Sequence, residues 1–71
     1  MNDREKREAQ ENVLYDTHLA SEILKAGRTK ELAVHLAMAF ERGKNGMSED
    51  EVDAVKKRAE TAAKMMTSIT D

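Results

Sequence analysis

Gly43-Lys44-Asn45-Gly46-Met47-Ser48-Glu49-Asp50-Glu51-Val52 holds a turn followed directly by a helix start, and its reading sets the architecture on both sides. Glycine and asparagine tolerate the backbone angles of a tight reversal, so residues 43 to 46 read as a turn. Just beyond it, Ser48 can accept from the backbone N–H of Glu51 while the Glu51 side chain reaches back to the N–H of Ser48. Met47 and Val52 fall at the two positions of a hydrophobic staple around that reciprocal cap. Glu49, Asp50, Glu51 and Asp53 then put negative charge where the helix dipole is positive. A helix is predicted over about 49–68.

Upstream of the turn, Thr29 suits an N-cap and Glu31 a first helical turn, which predicts a second helix over about 30–42. Gly27, able to adopt a left-handed closing conformation, ends a longer helix over about 3–26. The link between these two helices is so short that they must be antiparallel or steeply crossed neighbours. Proline and cysteine are absent, and Ala, Glu, Lys, Met, Leu and Arg, all good helix formers, dominate. The fold class expected is therefore all-α: a single domain of three helices, long, short and long, in a small bundle completed by dimerisation.

The apolar residues indicate how the helices meet. On the third helix Val52, Val55, Ala59, Ala62, Met66 and Ile69 alternate spacings of three and four, as a seam does. Its other face carries the acid-first pairs Asp53/Lys57 and Glu60/Lys64. The first helix offers one line, Ala9, Val13, Ala20 and Leu24, with Asp16 on it. Residues 1 to 12 offer the helix only Ala9 to bury, so the first turns are expected to project or fray. Despite Asp16 a continuous helix is expected, because strong helix formers flank it. The second helix shows Leu32, Ala33, Leu36, Ala39 and Phe40 on one side, with Val34 and Met38 on the other. A helix apolar on two sides calls for neighbours on both, and a second copy of the chain is the simplest supplier of the missing one.

Chemistry-bearing arrangements are sparse. No nucleophile stands beside a base and no phosphate-binding glycine loop is present, so an enzyme is not expected, and no cofactor or metal is implied. His18 and His35 are read as surface or dimer-rim residues rather than metal ligands. The run Lys56-Lys57-Arg58 fans around its helix and reads as a solvated face. Lys25, Arg28 and Lys30 at the first turn, with Arg42 and Lys44 at the second, are the candidate nucleic-acid contacts. They lie at opposite ends of the second helix, about 20 Å apart by the helical rise. The acidic start of the third helix would repel phosphate, and net charge is only −2, so nucleic acid is the alternative reading. The first residues are charged of both signs with no apolar run behind them, which predicts a cytoplasmic protein without a membrane segment. The expected function is protein–protein interaction, as a homodimer that regulates, adapts or inhibits a larger protein. Val34, Met38, His35, Met65 and Tyr15 are the candidate interface. In size and composition the chain resembles compact accessory proteins of phages and plasmids.

The reciprocal cap gives a direct test. Replacing Ser48 by Ala removes one acceptor from the start of the third helix and should lower stability by about 1 kcal/mol in urea melts. An unchanged midpoint would place the helix start elsewhere.

Overall fold

The computed structural model describes residues 2–27 and 29–69, with residues 68 and 69 described by their backbone alone. Three helices follow one another: α1 (Asp3–Ala26), α2 (Lys30–Gly43) and α3 (Glu49–Ile69). Their lengths of 24, 14 and 21 residues reproduce the long, short, long order. The cap of α3 forms as predicted. Glu51 N–H donates to Ser48 Oγ at 3.2 Å, and Ser48 N–H donates to the Glu51 carboxylate at 3.1 Å. Met47 packs against the core cluster that contains Val52, completing the staple. Gly46 takes the left-handed conformation, with φ 82°, that the turn requires.

The first connection is built differently from its prediction. Gly27 closes α1 with φ −88°, outside the left-handed region, and its N–H donates to the carbonyls of Ile23 and Leu24. Thr29 stands at the N-cap position of α2, but its hydroxyl donates back to Leu24 O at 3.0 Å instead of accepting from α2. So short a link leaves the hydroxyl nearer to the orphan carbonyls ending α1 than to the N–H groups opening α2.

The central helix is α1. It packs along both α2 and α3, whereas among the described residues no Cα of α2 comes within 8 Å of one in α3. Arg7 meets Glu51 and His18 meets Glu60, so α1 and α3 run parallel in nearly constant register. Contacts of Gln10 with Gly43 and of His18 with Phe40 place α2 antiparallel to α1. Leu14, Phe40, Val52 and Val55, drawn from all three helices, form the core cluster, and Ala33, Ala59 and Ala63 are also buried.

Two faces differ from the sequence reading. On α1 the buried residues are Leu14 and Ser21, while Val13 is 62% exposed and Asp16 is also exposed. The true line through Arg7, Gln10, Leu14, His18 and Ser21 lies roughly 100° round the helix from Ala9, Val13, Ala20 and Leu24. Its polar members have partners. The Arg7 guanidinium donates to Glu51 at 3.0 Å and to Gly46 O at 3.2 Å, and the Gln10 amide donates to Gly43 O and Asn45 O at 2.8 Å each. The early turns of α1 are thus clamped to the α2–α3 turn from Arg7 onward, where a free projection was expected. With Asp16 off the buried line, α1 continues through it at no cost.

On α3 the seam runs Val52, Val55, Ala59 and Ala63, and Met66 is 49% exposed. Strict alternation of three and four is a 3.5-residue period that needs supercoiling. An unsupercoiled helix follows 3.6 residues and drifts toward Ala63. The expected Ile69 side chain lies outside the described residues. On α2, Ala33 and Phe40 are buried but Leu32 is 56% exposed, at the flank of the face assigned to it.

Gly43 sets the approach of α1 and α2. A Cβ there would stand 2.8 Å from Leu14 Cδ2, and Leu14 is only 1% exposed and enclosed by Phe40, Val52 and Val55. Gly43→Ala should therefore destabilise by about 1–2 kcal/mol in denaturant melts, overpacking outweighing the small gain in helix propensity at a last-turn position. A stabilised variant would show that Leu14 can move aside.

Candidate functional site

Val34 and Met38 stand one turn apart on the side of α2 opposite Ala33 and Phe40, and they are 59% and 53% exposed. Neither belongs to the buried core, and together they leave a small apolar stripe on the surface of α2. Beside them an open recess of about 460 Å³ is lined by Lys25, Lys30, Ala33, Val34 and Ala37. Four of these residues follow the spacing of a helical hole, the diamond that accepts one side chain of a facing helix. His35 is exposed on the flank of the same helix.

The other interface candidates lie elsewhere. Met65 is 64% exposed on α3, beside Ala62 and Thr61. Tyr15 is half-buried against the core cluster, with the Arg58 guanidinium 5.6 Å above its ring centroid. Lys56 lies 5.3 Å from the Phe40 centroid, so two members of the basic run shield aromatic rings while Lys57 remains exposed.

Of the candidate phosphate contacts, Arg28 lies outside the described residues. Lys25 Nζ stands 3.4 Å from a Glu22 carboxylate oxygen, and Lys44 Nζ lies 2.7 Å from Glu41. That contact, ahead of the weaker pull of Lys56, holds the Glu41 carboxyl below its ordinary range. Lys30 and Arg42 are exposed at opposite ends of α2, and the structure does not gather the four described residues into one patch.

A titratable cluster joins α1 to α3. His18 Nε2 lies 3.0 Å from Glu60 Oε1 and 3.6 Å from Glu22 Oε1. The imidazole is held in place by Phe40, whose ring centroid is 5.3 Å away at a 51° tilt. Reading His18 as an isolated rim histidine overlooks Glu22, one turn later on the same helix. That i, i+4 spacing is visible in the sequence, whereas Glu60 could be reached only through the parallel register of α1 and α3. Among the described residues neither Glu60/Lys64 nor Asp53/Lys57 closes as an ion pair. The hydrogen bond from His18 is the main cause that lowers the Glu60 carboxyl, with Lys56 and Lys64 adding charge at longer range. Glu51 is lowered first by the Ser48 N–H, then by the Ser48 hydroxyl, with a smaller contribution from Arg7.

No protein-family model matches the chain, and no match emerges among curated proteins or solved structures. No helix among the described residues is long and apolar enough to cross a membrane.

The lowered carboxyls fix the sign of acid lability. A group whose folded-state pKa lies below its unfolded value contributes stability above the unfolded value, near 4.3 for Glu, and loses it as pH falls. The melting temperature should accordingly fall as pH drops below about 5, and the fall should be shallower in Glu51→Gln and Glu60→Gln. Identical slopes in wild type and both variants, followed by circular dichroism, would remove these two contacts from the account.

Proposed function

We propose that the protein is a homodimeric helical interaction module, acting by protein–protein contact as a regulator, adaptor or inhibitor of a larger protein. The observation that carries this reading is the outward stripe of α2, in which exposed Val34 and Met38 are bracketed by Glu31 and Arg42 on one flank and by Lys30 and Glu41 on the other.

That stripe complements its own copy. When two α2 helices lie antiparallel across a two-fold axis near residue 36, Val34 of one protomer faces Met38 of the other. On one flank Glu31 meets Arg42, and on the other Lys30 meets Glu41. A two-fold perpendicular to the helices brings like flanks together with reversed direction, so every pair occurs twice. The Met38 side chain reaches the recess formed by Lys30, Ala33, Val34 and Ala37 on the opposing helix. Met suits such a contact because its unbranched thioether adapts to irregular space. Interaction fits better than catalysis, because Arg7, Gln10, Ser48 and Glu51 are engaged in caps and clamps.

Sedimentation equilibrium tests the reading. Wild type should be dimeric at micromolar concentration and Met38→Asp monomeric, since the two-fold would bury both new charges. Arg42→Glu should weaken association by setting it against Glu31, and Glu31→Arg combined with Arg42→Glu should restore it. A folded wild-type monomer at high micromolar concentration overturns the dimer.

A further inference from the structure

We propose that His18, Glu22 and Glu60 form a binding site for a divalent transition ion of the zinc class. Nothing in the interaction reading requires it, and it lies on the α1–α3 side of the bundle, away from the outward stripe of α2. Each of the three side chains offers one ligand atom, and these atoms all lie within 4.8 Å of one another. Bonds of about 2.0–2.1 Å to a tetrahedral zinc ion separate neighbouring ligands by about 3.3 Å. The observed 3.0 Å between His18 and Glu60 and 3.6 Å between His18 and Glu22 bracket that edge. Small side-chain rotations would therefore admit an ion without moving either helix.

The donor set also selects the ion. One imidazole nitrogen with two carboxylate oxygens suits zinc and its neighbours, whereas calcium and magnesium favour all-oxygen shells. The His18 side chain is 14% exposed and its ring is pinned by Phe40, so one ligand is oriented in advance, while Glu22 and Glu60 are 28% and 45% exposed and open to solvent. The Lys25 ammonium at 3.4 Å from Glu22 occupies the place of a counter-cation, and with 56% of its side chain exposed it can swing away when an ion enters. Three protein ligands leave one position open. Two ligands belong to α1 and one to α3, so the ion would fasten the two helices beside Ala59 and Ala63, where the seam is built only from small residues.

Titration calorimetry with Zn2+, supported by the visible spectrum of Co2+, provides the test. One equivalent should bind per chain, the Co2+ spectrum should show the intense bands of four-coordination, and millimolar Mg2+ or Ca2+ should not compete. His18→Gln, Glu22→Gln and Glu60→Gln should each weaken Zn2+ binding at least tenfold, and His35→Gln should leave it unchanged. Zn2+ should raise the melting temperature of wild type but not of these three variants. Should loss of the His18–Glu60 contact unfold a variant, Glu22→Gln alone decides, since it leaves the 3.0 Å hydrogen bond between His18 and Glu60 in place. Absence of saturable one-equivalent binding, or undiminished binding in Glu22→Gln, overturns the site. Dimer formation without zinc binding would refute this proposal and leave the interaction reading standing; zinc binding by a monomer would do the reverse.

Discussion

Leu14 fits against the α-carbon of Gly43, and the rest of the bundle is arranged around that contact. Because the glycine has no Cβ, α1 and α2 approach closely enough for Leu14 to reach Phe40 and, beyond it, Val52 and Val55 of α3. A chain of this length buries a smaller fraction of its surface than a larger domain does, so one well-placed leucine is a large part of its core. Removing that side chain from water is worth about 2 kcal/mol, a substantial share of the stability such a domain has.

The same turn that supplies Gly43 is held from above by α1. Gln10 donates to the carbonyls of Gly43 and Asn45, and Arg7 donates to that of Gly46 while meeting Glu51. Three carbonyls that would otherwise need water are satisfied by two side chains one turn apart. Since Glu51 also caps α3, one carboxylate links the start of α3 to both the turn and α1. These bonds are partly exposed and individually modest, but they fix the register that puts Leu14 beneath Gly43 and His18 beside Glu60.

Helix order, helix ends and the cap at Ser48 were legible in the sequence because each depends on neighbours a few residues apart. The cap needed only Ser48, Glu51 and the flanking Met47 and Val52. The buried face of α1 was not legible, because apolar periodicity assumes that the line facing a neighbour is the greasiest one. Here that line contains Arg7, Gln10, His18 and Ser21, and the partners that reach it from outside α1 lie more than thirty positions away in sequence for Gln10, Arg7 and His18 alike. Such pairings become visible only once the helices are in register. The outward placement of Val34 and Met38 was legible, since it follows from α2 alone. Glu22 beside His18 was equally local and could have been read from spacing; Glu60 could not.

Placing α1 at the centre alters the meaning of the apolar residues left outside. Were α2 central, Val34 and Met38 would demand cover from within the chain. With α1 central, α2 packs its backbone along α1 alone among the described residues and touches α3 where Phe40 meets Val52, Val55 and Lys56 near its end, so the side bearing Val34 and Met38 is left as surface. A helix in that position gains nothing for the monomer from valine and methionine there. Its charges, acidic beside basic at each end, repeat in reverse order about the middle of the helix. Glu31 and Arg42 also suit the dipole of α2 itself, and Glu41 pairs with Lys44. The order of Lys30 and Glu31 against Glu41 and Arg42 is in addition the one that would let the proposed antiparallel copy match opposite charges on both flanks.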